Sequence, residues 1–391
     1  MIRIAVLTTT RAEYGLMRQL IFRFRDDNDY DLNLLVTGTH LSDRYGYTVK
    51  EIEEDNVPVA YKADILVENN GKIDISRTMS KAMYVFWEHF HQIDYDCLLV
   101  DGDRYETFAI CVAAVNNHIP IIHCGGGETT GGAMDEYWRH CITKMSYLHF
   151  PTMELYRRRI ISMGENPERV FCVGSLGLDN IRLMDMADKK DVETRLGIIL
   201  DKPYALVTFH PVTMENDTAE IQIKELLKAC EMCKDMKFVF TKANADKDSY
   251  IINELIQEYV DERPQKAILV SSLGAYYYLS AMKYCEFVLG NSSSGLIETP
   301  SFGIPTINIG DRQKGREKAA SVIDCRPNAN MIYEAMMLAR NDEYREKCRQ
   351  VINPNGDGHA SERIISIIKQ VFSNKQVNIE KTFYDGPELN G

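Results

Sequence analysis

The chain has 391 residues, of which 45% are apolar and 26% are charged, and its net charge is −12. This length allows two domains with separate cores, and the composition is typical of a globular protein and argues against intrinsic disorder. The negative charge excludes a general attraction to nucleic acid or to an anionic membrane. An anionic ligand would therefore have to be bound by locally placed cations and backbone N–H groups.

The first eleven residues predict a strand rather than a signal peptide, because their apolar run is short and no cleavage site follows it. No apolar stretch is long enough to span a membrane, and we expect a cytoplasmic protein. Several of the ten cysteines, including Cys97, Cys111 and Cys172, lie in apolar segments and are predicted to be reduced and buried. Cys230 and Cys233 form a C-x-x-C pair without a second Cys or His pair at ligand spacing, which argues against zinc binding or redox chemistry.

Short β-branched segments alternate with longer segments of helical period, a pattern typical of parallel α/β sheets. The predicted strands of the first half are 2–7, 32–36, 97–100, 119–123, 148–150 and 170–173. Its predicted helices are 14–25, 76–90 and 107–117. The pattern then restarts, with predicted strands at 204–209, 237–240, 267–270, 287–289 and 306–309. The helices of this second series are predicted at 219–234, 248–260 and 273–282.

Two consecutive series of this kind predict an α/β protein with two Rossmann-like domains that face each other across a cleft. We place the domains at 1–174 and 175–373, with the boundary region at 174–201. A last amphipathic helix is predicted over 359–372, and we allow for its return to pack on the N-terminal domain. Residues 374–391 are expected to form a loosely held tail. Ligands of open α/β sheets bind beyond the carboxyl ends of the strands, so the residues after each strand are the candidates for a site.

Three segments of the first half carry such candidates. Arg11 follows the first strand among hydroxyls and N–H groups at a helix start, which suits a phosphate, although an ordinary N-cap with a solvated arginine is the alternative. The segment contains neither a dinucleotide fingerprint nor a P-loop. Asp103 and Arg104 follow a later strand through Gly102, which favours a functional role for Asp103 over a helix cap.

The third segment is a glycine-rich loop that begins after His123 and delivers ionisable groups to a helix start. Its glycines would allow the backbone to approach a ligand closely. Asp135 and Arg139 lie four residues apart, so an intrahelical ion pair is an alternative to a site. Neighbouring carboxylates can raise one another's pKa, which provides an acid and a base near neutral pH.

In the second half, His210 follows a strand, and a structural histidine is the alternative interpretation. Residues 290–295 are rich in serine and open a helix that carries Glu298, an arrangement suited to a phosphate with a ribose nearby. The next strand is followed by Arg312. Together these groups predict a clamp for a diphosphate.

The ordered set of segments resembles the hydrolysing UDP-N-acetylglucosamine 2-epimerases of sialic-acid-type sugar biosynthesis, which have the two-Rossmann GT-B fold. The segments include TTTRAEYGLM, VDGDRYE, MDEYWRHCITKMSYLHF, VTFHPVT, FTKANAD, GNSSSGLIETPSFGIPTINIGDRQKGRE and NPNGDGHASERI. The resemblance implies anti elimination of the nucleoside diphosphate across C1 and C2 of an N-acetylhexosamine. Water then adds at C1 and a proton returns to C2 on the opposite face, which yields free UDP and a ManNAc-type sugar for nonulosonic acid synthesis.

Residue by residue, the resemblance implies roles for eleven side chains. The groups assigned to catalysis are Asp103, Asp135, His210 and Glu128. The groups assigned to substrate binding are Arg11, Arg104, Ser292, Ser293, Ser294, Glu298 and Arg312. The scheme requires no metal and no other cofactor. Because the family often forms dimers or tetramers, we expect a homo-oligomer.

One position departs from the family, because hydrolysing members commonly place a second histidine where this chain has Gly125. The extra space is consistent with a different sugar, a UDP- or GDP-linked 2,4-diacetamido-2,4,6-trideoxyhexose of the legionaminic acid pathway. A non-hydrolysing epimerase is a further alternative, but its loop Glu usually stands at the position of Gly125. A glycosyltransferase of the same fold and a sugar-nucleotide-binding protein without catalysis are the remaining alternatives.

Overall fold

The computed structural model describes residues 1–69, 72–129, 134–211, 219–243, 249–271, 273–373 and 377–386. The chain divides into two compact units, which are described separately below. The first unit comprises Met1–Leu183 and Asn355–Gly391, and the second comprises Met184–Pro354.

The first unit alternates strands and helices. Its strands are β1 (Ile2–Thr8), β2 (Tyr30–Thr37), β3 (Val59–Ala63), β4 (Glu68–Asn69), β5 (Lys72–Ile73), β6 (Cys97–Asp101), β7 (Ile121–Cys124) and β8 (Leu148–Phe150). Its helices before the division are α1 (Arg11–Asp26), α2 (Val49–Glu54), α3 (Ile75–Gln92), α4 (Tyr105–Asn116), α5 (Asp135–Met145), α6 (Glu154–Ser162) and α7 (Gly177–Leu183). Short 3₁₀ helices cover Gly38–Leu41, Asp43–Tyr45 and Pro167–Arg169.

The second unit repeats the pattern, and the chain then returns to the first. The strands of the second unit are β9 (Tyr204–Thr208), β10 (Lys237–Thr241), β11 (Ala267–Val270), β12 (Phe287–Gly290), β13 (Thr306–Ile309) and β14 (Val322–Cys325). Its helices are α8 (Lys189–Leu196), α9 (Ala219–Met232), α10 (Ser249–Glu262), α11 (Gly274–Tyr284), α12 (Ser294–Ile297), α13 (Ala329–Ala339) and α14 (Asp342–Arg349), with a 3₁₀ helix at Thr299–Phe302. Helix α15 (Ala360–Phe372) belongs to the first unit.

Each unit contains a six-stranded parallel sheet with the strand order of a Rossmann fold. The order is β3-β2-β1-β6-β7-β8 in the first unit and β11-β10-β9-β12-β13-β14 in the second, while β4 and β5 form a separate antiparallel pair. The central strands are apolar and buried on both faces because helices cover both sides of each sheet. The predicted α/β class with two Rossmann-like domains is confirmed. None of the helices in the described ranges combines the length and apolarity that crossing a membrane requires.

The division of the chain falls after Leu183, which lies inside the predicted boundary region 174–201, and α7 packs within the first unit. The side chain of Asn180 donates to the carbonyl oxygen of Gly15 on α1 at 2.9 Å. The buried carboxylate of Asp179 accepts from the backbone N–H groups of Ala360 and Ser361, at 2.9 and 2.7 Å, and so caps the first turn of α15. Helix α15 therefore packs on the core of β1 and α1.

Two local predictions are wrong. Residues 170–173 do not form a strand, because only Val170 bridges to His149 and the neighbouring β8 has three residues. Cys172 is exposed rather than buried, because it lies on this irregular segment. Cys97 and Cys111 are buried as predicted. All ten cysteines are free thiols.

The tail is not loosely held over its described part, 377–386, because two of its side chains anchor it to the first unit. The ammonium of Lys381 donates to the buried carboxylate of Glu165 at 2.6 Å and to the carbonyl oxygens of Lys144 and Ser146, both at 2.7 Å, at the end of α5. The ring of Phe383 lies directly against Gly164, where a Cβ atom would collide with the ring carbons.

Glu165 links this tail to the rest of the unit. It also accepts from Lys144 at 2.6 Å and from the buried ring of His149 at 3.0 Å. Burial alone would raise the pKa of Glu165, but the hydrogen bonds from His149, Lys144 and Lys381 outweigh it and lower the pKa to about 2. Burial lowers the pKa of His149, which disfavours its charged form. The positive charges that balance the Glu165 carboxylate are therefore those of Lys144 and Lys381.

This depressed pKa predicts a loss of stability in acid. A carboxylate with a lowered folded-state pKa stabilises the fold above its unfolded pKa, and the contribution is lost as the pH falls from 4.5 toward 2. Over that window the wild type should lose up to about 3 kcal/mol of unfolding free energy from this group. In urea unfolding at pH 7, 5, 4 and 3, Glu165→Gln should be less stable at pH 7 and should depend less on pH below 5.

The matched control is Glu154→Gln, because Glu154 forms an exposed ion pair with Arg157 at 3.3 Å. Exposed pairs contribute about 0–1 kcal/mol, so this variant should follow the wild type at every pH. An acid dependence of Glu165→Gln that equals that of the wild type would contradict the account of the cluster.

Candidate active site

The carboxyl ends of β1, β6 and β7 lie side by side at one edge of the first sheet. Strand β1 pairs with β6, and β6 pairs with β7 so that Asp101 is opposite Cys124. The strand order changes direction between β1 and β6, and this switch point is the usual ligand-binding position in an open α/β sheet. The segments that follow these three strands carry most of the candidate residues of the first unit.

A buried ion pair holds Asp103 in place. The guanidinium of Arg139, on α5, contacts the Asp103 carboxylate, and it also donates to Glu136 at 2.8 Å and to the carbonyl oxygen of Glu128 at 3.1 Å. Arg139 is only 4% exposed, so its charge needs these acceptors. The structure thus joins Arg139 to Asp103 and Glu136, whereas the alternative weighed from the sequence was a pair with Asp135.

Asp135 is the first residue of α5 and faces the same group of charges. Burial raises its pKa, and the neighbouring charge of Asp103 raises it further, while Arg104 and Arg139 act in the opposite direction. His140, one turn along the helix, lies 3.1 Å from Glu136 through Nε2. The structure therefore brings Asp103 and Asp135 together beside Arg139.

Arg104 connects the β6 edge to helix α1. Its guanidinium donates to the fully buried carboxylate of Glu106 at 2.9 Å and lies 4.0 Å from Glu13. Arg11, at the start of α1, is exposed, and its guanidinium is 3.8 Å from the carboxylate of Glu51. Thr10 caps this helix, so the N-cap weighed as an alternative for the segment is present.

Two buried residues that sequence reasoning did not assign shape this edge. The Glu13 carboxylate accepts from the Thr9 backbone N–H at 2.7 Å and closes a capping box with Thr10, and burial raises its pKa to about 7. His123 donates from Nε2 to the carbonyl oxygen of Gly102 at 2.8 Å, and burial lowers its pKa to about 3, so the ring is neutral. The Thr10-x-x-Glu13 spacing is a recognisable capping signal, whereas a strand-end histidine carries none.

The glycines of the loop serve different purposes. Gly127 has φ +80°, and a Cβ atom there would approach the Tyr156 carbonyl oxygen to 2.6 Å, so this glycine is required by packing on α6 rather than by a ligand. Gly125 has φ +77°, yet a Cβ atom there would be at ordinary contact distance, 3.7 Å, from the Asp101 carboxylate. The rest of the glycine-rich loop, 130–133, lies outside the described residues.

In the second unit, the side chain of Asn291 ties together the segments after β9 and β12. Its Oδ1 accepts from the His210 backbone N–H and its Nδ2 donates to the His210 carbonyl oxygen, both at 2.8 Å. The Asn291 carbonyl oxygen in turn accepts from Arg312 at 3.0 Å and from Gln313 at 2.8 Å. The predicted neighbours His210 and Arg312 thus meet at Asn291, which sequence reasoning did not single out.

The imidazole of His210 is neutral near pH 7. Burial lowers its pKa to about 4, and the charge of Arg312 acts in the same direction. His210 can therefore offer a hydrogen bond but not a positive charge. Of the two residues His210 and Arg312 in the predicted diphosphate clamp, Arg312 therefore provides the positive charge.

The serine-rich turn follows β12 and leads into α12. The backbone N–H of Ser294 donates to Ser292 Oγ at 3.4 Å, and the residues Ser292, Ser293 and Ser294 are all half-buried. Glu298 follows directly after α12, and burial raises its pKa to about 7, against the opposing effects of Ser294 and Arg316. The turn and this carboxyl group therefore lie at the same edge of the second sheet as Asn291.

Comparison with known proteins shows the family to which the chain belongs. The family model described as UDP-N-acetylglucosamine 2-epimerase matches residues 23–369. The chain belongs to this family. The hydrolysing GDP/UDP-N,N'-diacetylbacillosamine 2-epimerase of Campylobacter jejuni is 42% identical over 326 residues, which cover 83% of this chain and 85% of that protein. Polysialic acid biosynthesis protein P7 of Escherichia coli is 38% identical over 387 residues, which cover 99% and 98% of the two chains.

A solved structure of this family has the same fold. The UDP-GlcNAc 2-epimerase of Neisseria meningitidis, determined with bound UDP-GlcNAc, superposes with a TM-score of 0.79 at 19% identity, covering 94% of this chain and 100% of that one. The resemblance inferred from the motifs is confirmed, and the chain is an enzyme of the hydrolysing branch of UDP-N-acetylglucosamine 2-epimerases. Its general reaction is the hydrolytic 2-epimerisation of a nucleotide-linked sugar.

Proposed function

We propose that this epimerase acts on a nucleotide-linked 2,4-diacetamido-2,4,6-trideoxyhexose and releases the nucleoside diphosphate and the free sugar inverted at C2. The observation that carries the proposal is the group of carboxylates at the β6 edge, in which Asp103 is paired with the buried Arg139 and lies beside Asp135. The relative that is 42% identical is named as an enzyme of GDP/UDP-N,N'-diacetylbacillosamine.

The proposed reaction has two steps. A carboxylate base removes the C2 proton, and the C–H electron pair forms a C1=C2 double bond. The C1–O bond breaks, and the nucleoside diphosphate leaves with the electron pair of that bond. An acid then adds a proton to C2 from the opposite face, and water adds at C1 and loses one proton. General acid–base catalysis of this kind needs two carboxyl groups in different protonation states.

We assign the base to Asp103, because its carboxylate lies just beyond the end of β6 and is held in place by the guanidinium of Arg139. We assign Asp135 and Glu128 to hydrogen bonding with the hydroxyl and acetamido groups of the sugar. Arg104 is assigned to the same part of the substrate. Asp135 is exposed at the start of α5, where its carboxyl group is open to a ligand, and partial burial and the charge of Asp103 raise its pKa.

We assign the nucleoside diphosphate to the second unit. Arg312 and the N–H and hydroxyl groups of Ser292, Ser293 and Ser294 would bind its oxygens, with His210 as a neutral hydrogen-bonding group and Glu298 accepting from the ribose. Arg11 is a further candidate for a phosphate oxygen, since it is exposed at a helix start. A homo-oligomer and a cytoplasmic location remain predictions from the sequence.

Gly125 supports the choice of the larger sugar. A side chain at this position would contact the Asp101 carboxylate, so its absence leaves room beside the acidic group for a second acetamido substituent. The positive φ of Gly125 is a second reason for a glycine at this position, because it reflects backbone conformation rather than space for the sugar. The experiment must separate these two reasons. UDP-N-acetylglucosamine is the second candidate, favoured by the family match and by the polysialic acid relative.

The test compares kcat/KM for UDP- and GDP-linked N,N'-diacetylbacillosamine with that for UDP-N-acetylglucosamine. We expect at least about a tenfold preference for a diacetamido sugar, the discrimination that one extra substituent in a fitted pocket provides. Gly125→Asn should reduce this preference by filling the space, since asparagine tolerates a positive φ better than most residues do. Gly125→Ala is the matched control for backbone strain, and a wild-type preference for UDP-N-acetylglucosamine would contradict the choice of sugar.

A further inference from the structure

Asp101 occupies the end of β6, two residues before Asp103. Its backbone pairs with Cys124, and the next residue, Gly102, is held by the Cys124 carbonyl oxygen at 3.1 Å and by the ring of His123 at 2.8 Å. The position of Asp101 is therefore fixed by the sheet on one side and by a buried histidine on the other. Sequence reasoning assigned no role to Asp101.

The Asp101 side chain borders the space that Gly125 leaves open. A Cβ atom built on Gly125 would lie 3.7 Å from Asp101 Oδ1. A side chain at position 125 would therefore meet the Asp101 carboxyl group directly. With glycine there, the Asp101 carboxyl group borders an open position.

The surroundings of Asp101 differ from those of Asp103. Three acidic groups act on its carboxyl group, namely Glu13 from α1, Asp103 from its own loop and Glu128 from the loop after β7. Burial and then these like charges raise its pKa well above the usual range of an aspartate. Within the described ranges no hydrogen bond to its carboxyl oxygens is found, whereas Asp103 is paired with Arg139.

We propose that Asp101 is the acid that returns the proton to C2 in the second step of the reaction. The proposal rests on the function proposed above and adds to it an acid beside the open position at Gly125. The Asp101 O–H bond breaks as the proton adds to C2 of the glycal, and the carboxylate keeps the electron pair. Water adds at C1 and transfers one proton to that carboxylate, which restores the acid, while the protonated base loses its proton to solvent.

The test uses Asp101→Asn, which has the shape of a protonated aspartate but no acidic proton. With the diacetamido substrate, UDP release in the first turnover should continue, while formation of the free sugar should slow by about 10²-fold or more. The glycal should accumulate and be visible by its C1 vinyl proton in NMR. When the glycal and UDP are supplied together, the variant should hydrate the glycal slower than the wild type by the same factor.

Two further variants make the result specific. Asp101→Glu should recover part of the hydration rate, because it restores an acid on a longer side chain. Asp96→Asn is the matched control, since Asp96 lies just before the opposite end of β6 and accepts only from the Arg3 backbone N–H at 2.7 Å among the residues that the structure describes. It should behave as the wild type, and thermal unfolding of all variants checks that each is folded.

Free-sugar formation by Asp101→Asn at the wild-type rate would overturn the proposal. An equal loss of UDP release and of glycal hydration would also overturn it, because Asp101 would then act before the second step or only hold the fold. A wild-type protein that releases no UDP from any of the sugar nucleotides would instead contradict the proposed function itself.

Discussion

Replacement of Asp103 by Asn is expected to lower kcat by about 10²–10⁴-fold, the contribution of a positioned general base. UDP release and free-sugar formation should slow by the same factor, because the substitution impairs removal of the C2 proton in the first step. This separates Asp103→Asn from Asp101→Asn, which should still release UDP. Steady-state kinetics and a single-turnover assay of UDP release provide the measurement.

The variant should remain folded. Arg139 keeps its contact with Glu136 at 2.8 Å and with the Glu128 carbonyl oxygen, and the amide oxygen that Asp103→Asn introduces can still accept from it. Glu136→Gln is the matched control, since it also removes a carboxylate from Arg139 but not the base, and its kcat should fall by less than about tenfold. An Asp103→Asn protein with at least a tenth of the wild-type kcat would show that the base is another group.

Replacement of Asn291 by Leu should cause the largest loss of stability in the second unit. Asn291 is 1% exposed, and its side chain satisfies both the N–H and the carbonyl oxygen of His210, which is buried. A buried polar group left without a partner costs about 1–3 kcal/mol, so two such groups predict a loss of about 2–6 kcal/mol. Urea unfolding followed by circular dichroism measures this change.

Two controls bracket the expected effect. Asn291→Asp retains an acceptor for the His210 N–H but loses the donor to its carbonyl oxygen, so its loss should be intermediate. Asn328→Ala removes an exposed N-cap of α13 and should cost about 1 kcal/mol. A loss below that of Asn328→Ala for Asn291→Leu would contradict the role assigned to the Asn291 side chain.

The central strands of both sheets could be predicted from the sequence because they are continuous apolar segments. β1 and β9 are buried along nearly their whole length, and their predicted bounds differ from the observed ones by one residue. The edge strands β3 and β14 were missed, because each is partly exposed and contains polar residues. Edge strands of this kind lack the apolar run that identifies a buried parallel strand.

The candidate site was partly predictable for a similar reason. Asp103 and His210 follow buried strands directly, and the topology of a parallel sheet places such residues at one edge. The partner of Arg139 could not be predicted, since the contact with Asp103 joins segments 36 residues apart. Asp101 was not assigned a role because it is the last residue of a strand, and only its distance from the open position at Gly125 reveals one.

The most direct test of elimination followed by hydration is a proton NMR experiment in D₂O with the sugar nucleotides named above. The account predicts free nucleoside diphosphate together with a free, C2-inverted sugar that carries deuterium at C2, because the returning proton comes from a group that exchanges with solvent. A free sugar that retains its original C2 proton, or an inverted sugar still joined to the nucleotide, would contradict it.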